Sequence, residues 1–366
     1  MTSTVPAVAW RRLRREAGAG TLEYVGLIAV ATVLILALTV QEWSGQLAGM
    51  AAHAICSVKE VLGEAAGPSA GCGSLTTRTP YEQAVSGRYV AMGDSYSSGE
   101  GAWDYEPGTD FDDRDDPWPF NDDEEAHNRC HRSADAYARI LGGSNDFAGG
   151  STFVACSGSV ISDLDNPNHK ETGEKPQTDA LDDDVSLVTL TLGGNDLGFG
   201  DVVRDCIANG ESGMPFLASC QEKHDQRIAQ RLPELRRQLV AAYKEIHEKA
   251  PNARIVVVGY PQLFVDNPSD NYGNLLFAQD QRWMNQKAAE LNAMLASAAK
   301  EAGAEFVDPT DTFRGHGIGS SDPWINDLDF GGPGWMIADP SSFHPNAAGH
   351  AALAQLIQQQ LEHPGT

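Results

Sequence analysis

The segment Arg88-Tyr-Val-Ala-Met-Gly-Asp-Ser-Tyr-Ser-Ser-Gly99 joins an apolar run to a glycine-flanked turn that carries Ser95. The run predicts a buried strand, and the Gly-Asp-Ser sequence after it predicts a tight turn. Open parallel sheets bind ligands just outside the carboxyl ends of their strands, so this serine is well placed to meet a substrate. Serine and glycine are also common in ordinary loops, and the segment therefore needs support from the rest of the chain.

Further short apolar runs follow and alternate with helical patterns. The additional predicted strands are 152–156, 185–192, 254–260 and 304–307. Near-continuous apolar sequences such as Ile255-Val-Val-Val258 are typical of parallel strands buried on both faces. The predicted helices are about 233–248, with Pro233 in the first turn, 280–302, and the residues after Pro345. This alternation predicts a three-layer α/β/α sandwich with a mostly parallel, flavodoxin-like sheet over residues 88–366.

Polar residues able to take part in a reaction also lie at the ends of other predicted strands and at the start of the last helix. Ala155-Cys156-Ser157-Gly158 follows the second strand, Gly193-Gly194-Asn195-Asp196 follows the third, and Ser342-Phe343-His344-Pro345 opens the last helix. Because the carboxyl ends of parallel strands meet at one edge of a sheet, we expect these segments to converge on Ser95. A serine, a histidine and amide donors are the groups that acyl transfer requires.

These four blocks, in this order, resemble those of the SGNH (GDSL-like) serine hydrolases over residues 88–362. The resemblance implies that Ser95 is the nucleophile and His344 its general base. It also implies an oxyanion hole formed by the backbone N–H groups of Ser95 and Gly158 and the side-chain amide of Asn195. Asp94 is expected to brace its turn rather than to react.

The chain departs from the family at one position. Family members usually have an aspartate three residues before the histidine, and this chain has Ser341 there. Some members of the family work as a Ser–His dyad in which a backbone carbonyl orients the imidazole. The resemblance therefore implies a dyad with the carbonyl of Ser341 as the orienting group, and Asp339 is the main alternative.

An even number of cysteines, none in a C-x-x-C motif, is typical of disulfides in an oxidising compartment. Pairing of sequence neighbours closes the shortest loops. Free buried thiols are the alternative. The predicted disulfides are Cys56–Cys72, Cys130–Cys156 and Cys206–Cys220. The spacings of the last two pairs resemble those of disulfide-containing actinobacterial esterases and lipases.

The N-terminal region predicts a membrane anchor. Four arginines between positions 11 and 15 precede an uncharged apolar run from Tyr24 to Val40. As a helix this run reaches roughly 26 Å, enough to cross a hydrocarbon core. The arginines place the N-terminus in the cytoplasm and the remaining chain outside. We therefore expect residues 1–41 to form a basic segment and a transmembrane helix, and residues 42–87 to form an extracytoplasmic stalk.

Gly18 and Glu23 at the start of the apolar run add a finer signal. Their spacing resembles the class III signal of type IV pilins and TadE-like pseudopilins, which a prepilin peptidase cuts after the glycine. Such a cut would remove the arginines and keep the apolar helix. An uncut signal anchor is the alternative, so the protein is expected at the cell membrane, or secreted if it is processed further.

Several classes of partner and chemistry are disfavoured. A net charge of −25 argues against nucleic acid, which is bound by Lys/Arg patches. The sequence lacks H-E-x-x-H and P-loop motifs, which disfavours zinc peptidases and nucleotide enzymes. No predicted strand leads into a G-x-S-x-G elbow, which disfavours α/β-hydrolases. His127 and His131 flank Cys130, but a cysteine in a disulfide is not a thiolate ligand, which disfavours a metal site there. Serine hydrolysis needs no metal and no cofactor.

The sequence thus predicts an extracytoplasmic serine esterase or lipase that acts on lipid or other acyl esters. One alternative is a carbohydrate O-acetyl esterase acting on an acetylated glycan, in which tryptophans stack on sugars instead of anchoring loops. A second alternative is a pilin-like surface subunit whose hydrolase domain is inactive. The oligomeric state is not indicated. The tryptophans in question are Trp103, Trp118, Trp324 and Trp335.

Overall fold

The computed structural model describes residues 78–111, 128–171, 173–211, 220–268, 276–329 and 338–365. Within these ranges, five parallel strands form one sheet in the order β2-β1-β3-β4-β5. This confirms the predicted parallel α/β fold. The strands are β1 (Arg88–Gly93), β2 (Ser151–Phe153), β3 (Val185–Thr191), β4 (Arg254–Val258) and β5 (Glu305–Val307).

The first strand, β1, lies inside the sheet between β2 and β3. Val90 pairs with Thr152 on one side and with Val188 on the other. All residues of β3 and β4 are buried, as the continuous apolar runs predicted. Since β1 has neighbours on both sides, its carboxyl end, where Ser95 follows, opens at the middle of the sheet edge. This is the point at which the strand order reverses and where α/β sheets place their ligands.

Helices cover the sheet in two groups. The C-terminal helix α9 packs against α1 and α3, and the long helix α6 packs against α7. Right-handed crossovers that leave β1 in both directions place these groups on opposite faces. The helices are α1 (Pro80–Ala84), α2 (Ser95–Ser98), α3 (Tyr137–Ser144), α4 (Gly194–Leu197), α5 (Phe199–Glu211), α6 (Cys220–Lys249), α7 (Ala278–Ala302), α8 (Thr310–Phe313) and α9 (Ala347–Glu362).

Helix α6 corrects one prediction. Pro233 does not open this helix but lies inside it, and the helix begins at Cys220. A proline inside a helix costs about 3 kcal/mol because a backbone hydrogen bond is lost. His224 and Ile228 lie before the proline and are buried, so their packing offsets this cost. The predicted start was wrong because tertiary packing outweighs the local preference of proline.

The folded unit begins before the change of sequence pattern at Arg88. The compact unit that contains the sheet spans Arg78–Thr366. Helix α1 lies in the region predicted as stalk, and Ala84 in this helix is fully buried. Thr79 caps the helix by accepting a hydrogen bond from the Glu82 N–H (3.1 Å). The rest of the predicted stalk and the predicted transmembrane helix lie outside the described residues, and no helix within the described ranges could span a membrane.

Disulfides join Cys130 to Cys156 and Cys206 to Cys220, as predicted. The predicted Cys56–Cys72 pair lies outside the described residues. The first bond connects the segment before α3 to the segment that follows β2. The Ser157 N–H also donates to the Cys130 carbonyl (3.0 Å). The disulfide and this hydrogen bond together fix the residues immediately before Gly158.

Candidate active site

Ser95 is the first residue of α2 and directly follows the end of β1. The chain turns at Gly93, whose φ is 114°, and a Cβ at this position would collide with the Thr191 carbonyl. Asp94 caps α2 by accepting a hydrogen bond from the Tyr96 N–H (3.0 Å). Burial raises the pKa of Asp94 to about 7, although that hydrogen bond opposes the change. The glycine and the cap together fix the turn that presents Ser95.

The turn before α9 brings His344 to the serine. The Nε2 atom of His344 lies 2.8 Å from the Ser95 Oγ, across 249 residues of sequence. A histidine at this distance is able to remove the hydroxyl proton and so activate the oxygen as a nucleophile. The structure therefore places the two residues predicted as nucleophile and base within hydrogen-bond reach of each other.

The group that orients the imidazole differs from the prediction. The Nδ1 atom of His344 lies 3.0 Å from the carbonyl oxygen of Ser342, not of Ser341. The Ser341 carbonyl instead accepts the backbone N–H of His344 (3.2 Å) and is thereby used in the turn. Asp339 accepts hydrogen bonds from the Ser341 N–H (2.9 Å) and hydroxyl (2.5 Å), so its carboxylate braces the same turn.

The contact with Ser342 also indicates which tautomer of His344 is present. A carbonyl oxygen only accepts hydrogen bonds, so Nδ1 must carry the proton. Nε2 is then the unprotonated nitrogen that faces Ser95, as a general base requires.

Burial holds the pKa of His344 below its usual value of 6.5. The negative charge of Glu100 and the carbonyls of Ser342 and Pro340 act in the opposite direction, and the charge of His131 adds to the lowering. His344 therefore remains neutral, and able to accept a proton, at lower pH than an ordinary histidine.

We expect the acidic limb of the kcat/KM profile to have its midpoint below pH 6.5, because the neutral form of His344 is the active base. The measurement is kcat/KM for a p-nitrophenyl ester across the acidic range, in quenched assays. Samples returned from each pH to neutrality and assayed again separate titration from unfolding. A reversible midpoint at or above 6.5 would contradict the assignment.

The segment of Gly158 is held beside the Ser95 turn, because the Cys156 N–H donates to the Gly93 carbonyl (3.1 Å). Within the described ranges, no hydrogen bond uses the N–H groups of Ser95 and Gly158. Gly158 has φ 80°, a backbone conformation that favours glycine. The Asn195 side-chain amide donates one N–H to the Ser159 carbonyl (2.9 Å), which leaves its second N–H for a ligand. These are the three donors that the sequence predicted for an oxyanion hole.

Two residues that sequence reasoning missed connect these segments. The Tyr260 hydroxyl accepts the Gly194 N–H (2.7 Å) and donates to the Asp94 carboxylate (2.6 Å). The Gln177 amide donates to the Gly93 carbonyl (3.0 Å) and accepts the Gly93 N–H (2.7 Å). Tyr260 follows β4 at the same edge of the sheet, which was a usable signal, whereas no pattern marks Gln177. Both side chains hold the catalytic turns in register.

His350 and Trp324 have structural surroundings. His350 is fully buried in α9 and accepts the Tyr137 N–H (3.3 Å). Trp324 stacks on His316 with ring centroids 3.6 Å apart, which makes it a loop anchor. Trp103 is 45% exposed. His127, Trp118 and Trp335 lie outside the described residues.

The parallel sheet, the serine–histidine pair at the carboxyl end of β1 and the neighbouring amide donors define the class of carboxylic ester hydrolases that use a serine nucleophile. The chain belongs to the GDSL-like Lipase/Acylhydrolase family, whose model matches residues 91–352.

Similar proteins from Streptomyces support membership of this family. A lipase from Streptomyces rimosus is 31% identical over 263 residues, covering 72% of this chain and 82% of that one. Lipase 1 from Streptomyces coelicolor is 30% identical over 281 residues, with 76% and 88% covered. The crystal structure of a phospholipase A1 from Streptomyces albidoflavus superposes with a TM-score of 0.60 at 32% identity, covering 75% of this chain and 99% of that one.

Proposed function

We propose that the protein is an extracytoplasmic lipase or esterase that hydrolyses acyl esters of lipids through a dyad of Ser95 and His344. The observation that carries this proposal is the 2.8 Å contact between the Ser95 Oγ and the His344 Nε2, beside two backbone N–H groups that have no partner in the described ranges. This combination supplies a nucleophile, a base and a place for a negatively charged oxygen.

The reaction follows from these positions. Ser95 attacks the ester carbonyl carbon while His344 takes the hydroxyl proton at Nε2. The carbonyl oxygen becomes an oxyanion, which the N–H groups of Ser95 and Gly158 and the Asn195 amide stabilise. The imidazolium then donates its proton to the departing alkoxide and leaves an acyl-serine. Water, deprotonated by the same histidine, releases the carboxylic acid and restores Ser95.

Lipid esters are the substrate class that the relatives support. The relatives reported above are named lipases and a phospholipase A1, and they match along most of the catalytic region. The acetylated-glycan alternative depends on tryptophans able to stack on sugars. Of those described, Trp324 is occupied by His316, and only Trp103 presents a large exposed face.

We also propose that the N-terminal helix predicted over residues 24–40 holds the catalytic unit at the outer face of the membrane. Three observations support an oxidising location outside the cytoplasm: the arginine pattern of the sequence, the disulfides of the catalytic unit, and a relative from Streptomyces rimosus described as an extracellular lipase. Cleavage after Gly18 would keep this anchor. The alternative of an inactive pilin-like subunit is disfavoured because the catalytic pair is intact.

The substrate proposal predicts a preference for acyl chains longer than acetyl. The test is kcat/KM of the full chain in detergent on p-nitrophenyl esters from acetate to palmitate, with phosphatidylcholine and acetylated xylan as natural-type substrates. We expect a higher kcat/KM on medium or long chains than on acetate, because lipid acyl chains bind through apolar burial. An optimum at acetate together with deacetylation of xylan would favour the glycan esterase instead.

A further inference from the structure

A buried carboxylate lies beside the catalytic pair although the histidine has no aspartate partner. Glu100 is 2% exposed, and its backbone N–H donates to the carbonyl of Ser95 (3.1 Å). The following residue, Gly101, packs directly on the histidine: a Cβ at this position would lie 3.0 Å from the His344 Cβ. Glu100 is thus tied to the nucleophile turn and adjacent to the turn of the base.

The carboxylate of Glu100 is held by several donors. Its Oε1 accepts the Tyr105 hydroxyl (3.1 Å), and its Oε2 lies 2.7 Å from the His131 Nδ1. Burial raises the pKa of Glu100, but the hydrogen bond from His131 and its charge, with that of His344, bring the pKa below its usual value. The group is therefore ionised at neutral pH.

His131 is the counterion of this carboxylate. Its ring stacks on Tyr105 with centroids 4.3 Å apart, and its Nε2 lies 3.0 Å from the Phe111 carbonyl oxygen. Both ring nitrogens therefore face acceptors, a carboxylate and a carbonyl. An imidazole satisfies both acceptors only when both nitrogens carry protons. The pair is thus a buried ion pair whose negative end is Glu100.

We propose that Glu100 is a positioning residue that supplies, through space, the negative charge that stabilises the imidazolium of His344 in the transition state. An aspartate hydrogen-bonded to the ring has this role in serine triads, where it also fixes the tautomer. Here the two tasks are divided: the Ser342 carbonyl fixes the tautomer, and Glu100 provides the charge. The inference rests on the proposed function, because it needs His344 to become protonated during catalysis.

The other titratable groups around His344 have different surroundings. The Asp339 carboxylate accepts hydrogen bonds from the Ser341 N–H and hydroxyl, and His350 stays neutral because burial lowers its pKa to about 3. The His131 charge lowers the pKa of His344, and that of Glu100 raises it. The titratable groups that surround the ring in the described ranges are Tyr96, Glu100, His131, Asp339 and His350.

The test compares Glu100→Gln with Glu100→Asp in the full chain. Glutamine keeps the shape and one acceptor oxygen, replaces the other oxygen by an NH2 donor and removes the charge, whereas aspartate keeps the charge and changes the shape. We expect E100Q to lower the plateau of kcat/KM about tenfold, because it removes a favourable charge from the transition state. Its acidic limb should also move to lower pH, since the pKa of His344 falls. In E100D we expect the acidic limb to stay near that of the wild type.

A purely structural role of Glu100 would lower kcat/KM more in E100D than in E100Q. The acidic limb of the pH profile would then stay at the wild-type position in both variants. Glu305→Gln is the matched control, since Glu305 also pairs with a buried cation, Arg254 (2.7 Å), but at the amino end of β5. It should lower the melting temperature and leave the limb in place. A folded E100Q with an unchanged limb would overturn the inference. If E100Q does not fold, the E100D variant alone decides the question. An acidic limb of its kcat/KM profile that lies at lower pH than in the wild type would contradict the proposed role of Glu100.

The two proposals fail separately in this experiment. An inactive wild-type chain, or activity that survives Ser95→Ala, would refute the proposed function. An active wild-type chain whose limb is the same in E100Q would refute only the role of Glu100.

Discussion

Replacing Ser95 or His344 by alanine is expected to lower kcat on a p-nitrophenyl ester by about 10⁵ to 10⁶. Without Ser95 no acyl-serine forms, and without His344 the hydroxyl keeps its proton at neutral pH. Because the two side chains act as one unit 2.8 Å apart, the double variant should be no slower than either single variant. Burst kinetics on the full chain measure formation of the acyl-serine, and steady-state kinetics measure kcat of the single and double variants.

Asp339→Asn is the control for this prediction. In a triad, amidation of the aspartate lowers kcat by about 10⁴, since the histidine takes the wrong tautomer. Here the Ser342 carbonyl contacts Nδ1, and Asp339 accepts a hydrogen bond from the Ser341 N–H, so we expect a loss below about tenfold. A loss near 10⁴ in this variant would mean that Asp339 orients the base after all.

Asn195→Ala has the second largest expected effect, a fall in kcat of about 10² to 10³ with little change in KM. The reason is that the free N–H of the Asn195 amide stabilises the oxyanion, which exists only after attack. The same amide bonds the Ser159 carbonyl (2.9 Å), so part of the loss could come from movement of the Gly158 segment.

Asp196→Asn separates these two contributions. The Asp196 carboxylate accepts the Ile161 N–H (3.1 Å) and so braces the same loop without a donor for the substrate. This variant should lower the melting temperature while reducing kcat less than about tenfold. Equal losses of kcat in the Asn195 and Asp196 variants would indicate a structural role for both.

The sheet and the location of the site were predictable from local patterns. Continuous apolar runs such as β4 are buried on both faces, and the parallel arrangement brings their ends together. Ser95, Gly158, Asn195 and His344 each follow a strand or open a helix, which is why separate segments could be assigned to one edge.

Details that depend on the path of a turn were not predictable. Whether Ser341 or Ser342 meets the ring depends on Phe343, which has φ 65°, a conformation that its side chain does not favour. Likewise, Glu100 and His131 are distant in sequence from His344, and no periodic pattern marks them. Glu100 and His131 come near His344 through tertiary packing around Gly101. Only the structure shows that a side chain at Gly101 would collide with its neighbours.

The most direct test of the central claim is labelling of the full chain with a fluorophosphonate, followed by peptide mapping and activity measurement. We expect one equivalent of label on Ser95, loss of hydrolysis in proportion to labelling, and no labelling of the S95A variant. Loss of activity with the label on a different residue, or hydrolysis that continues after Ser95 is fully labelled, would contradict the assignment of Ser95 as the nucleophile.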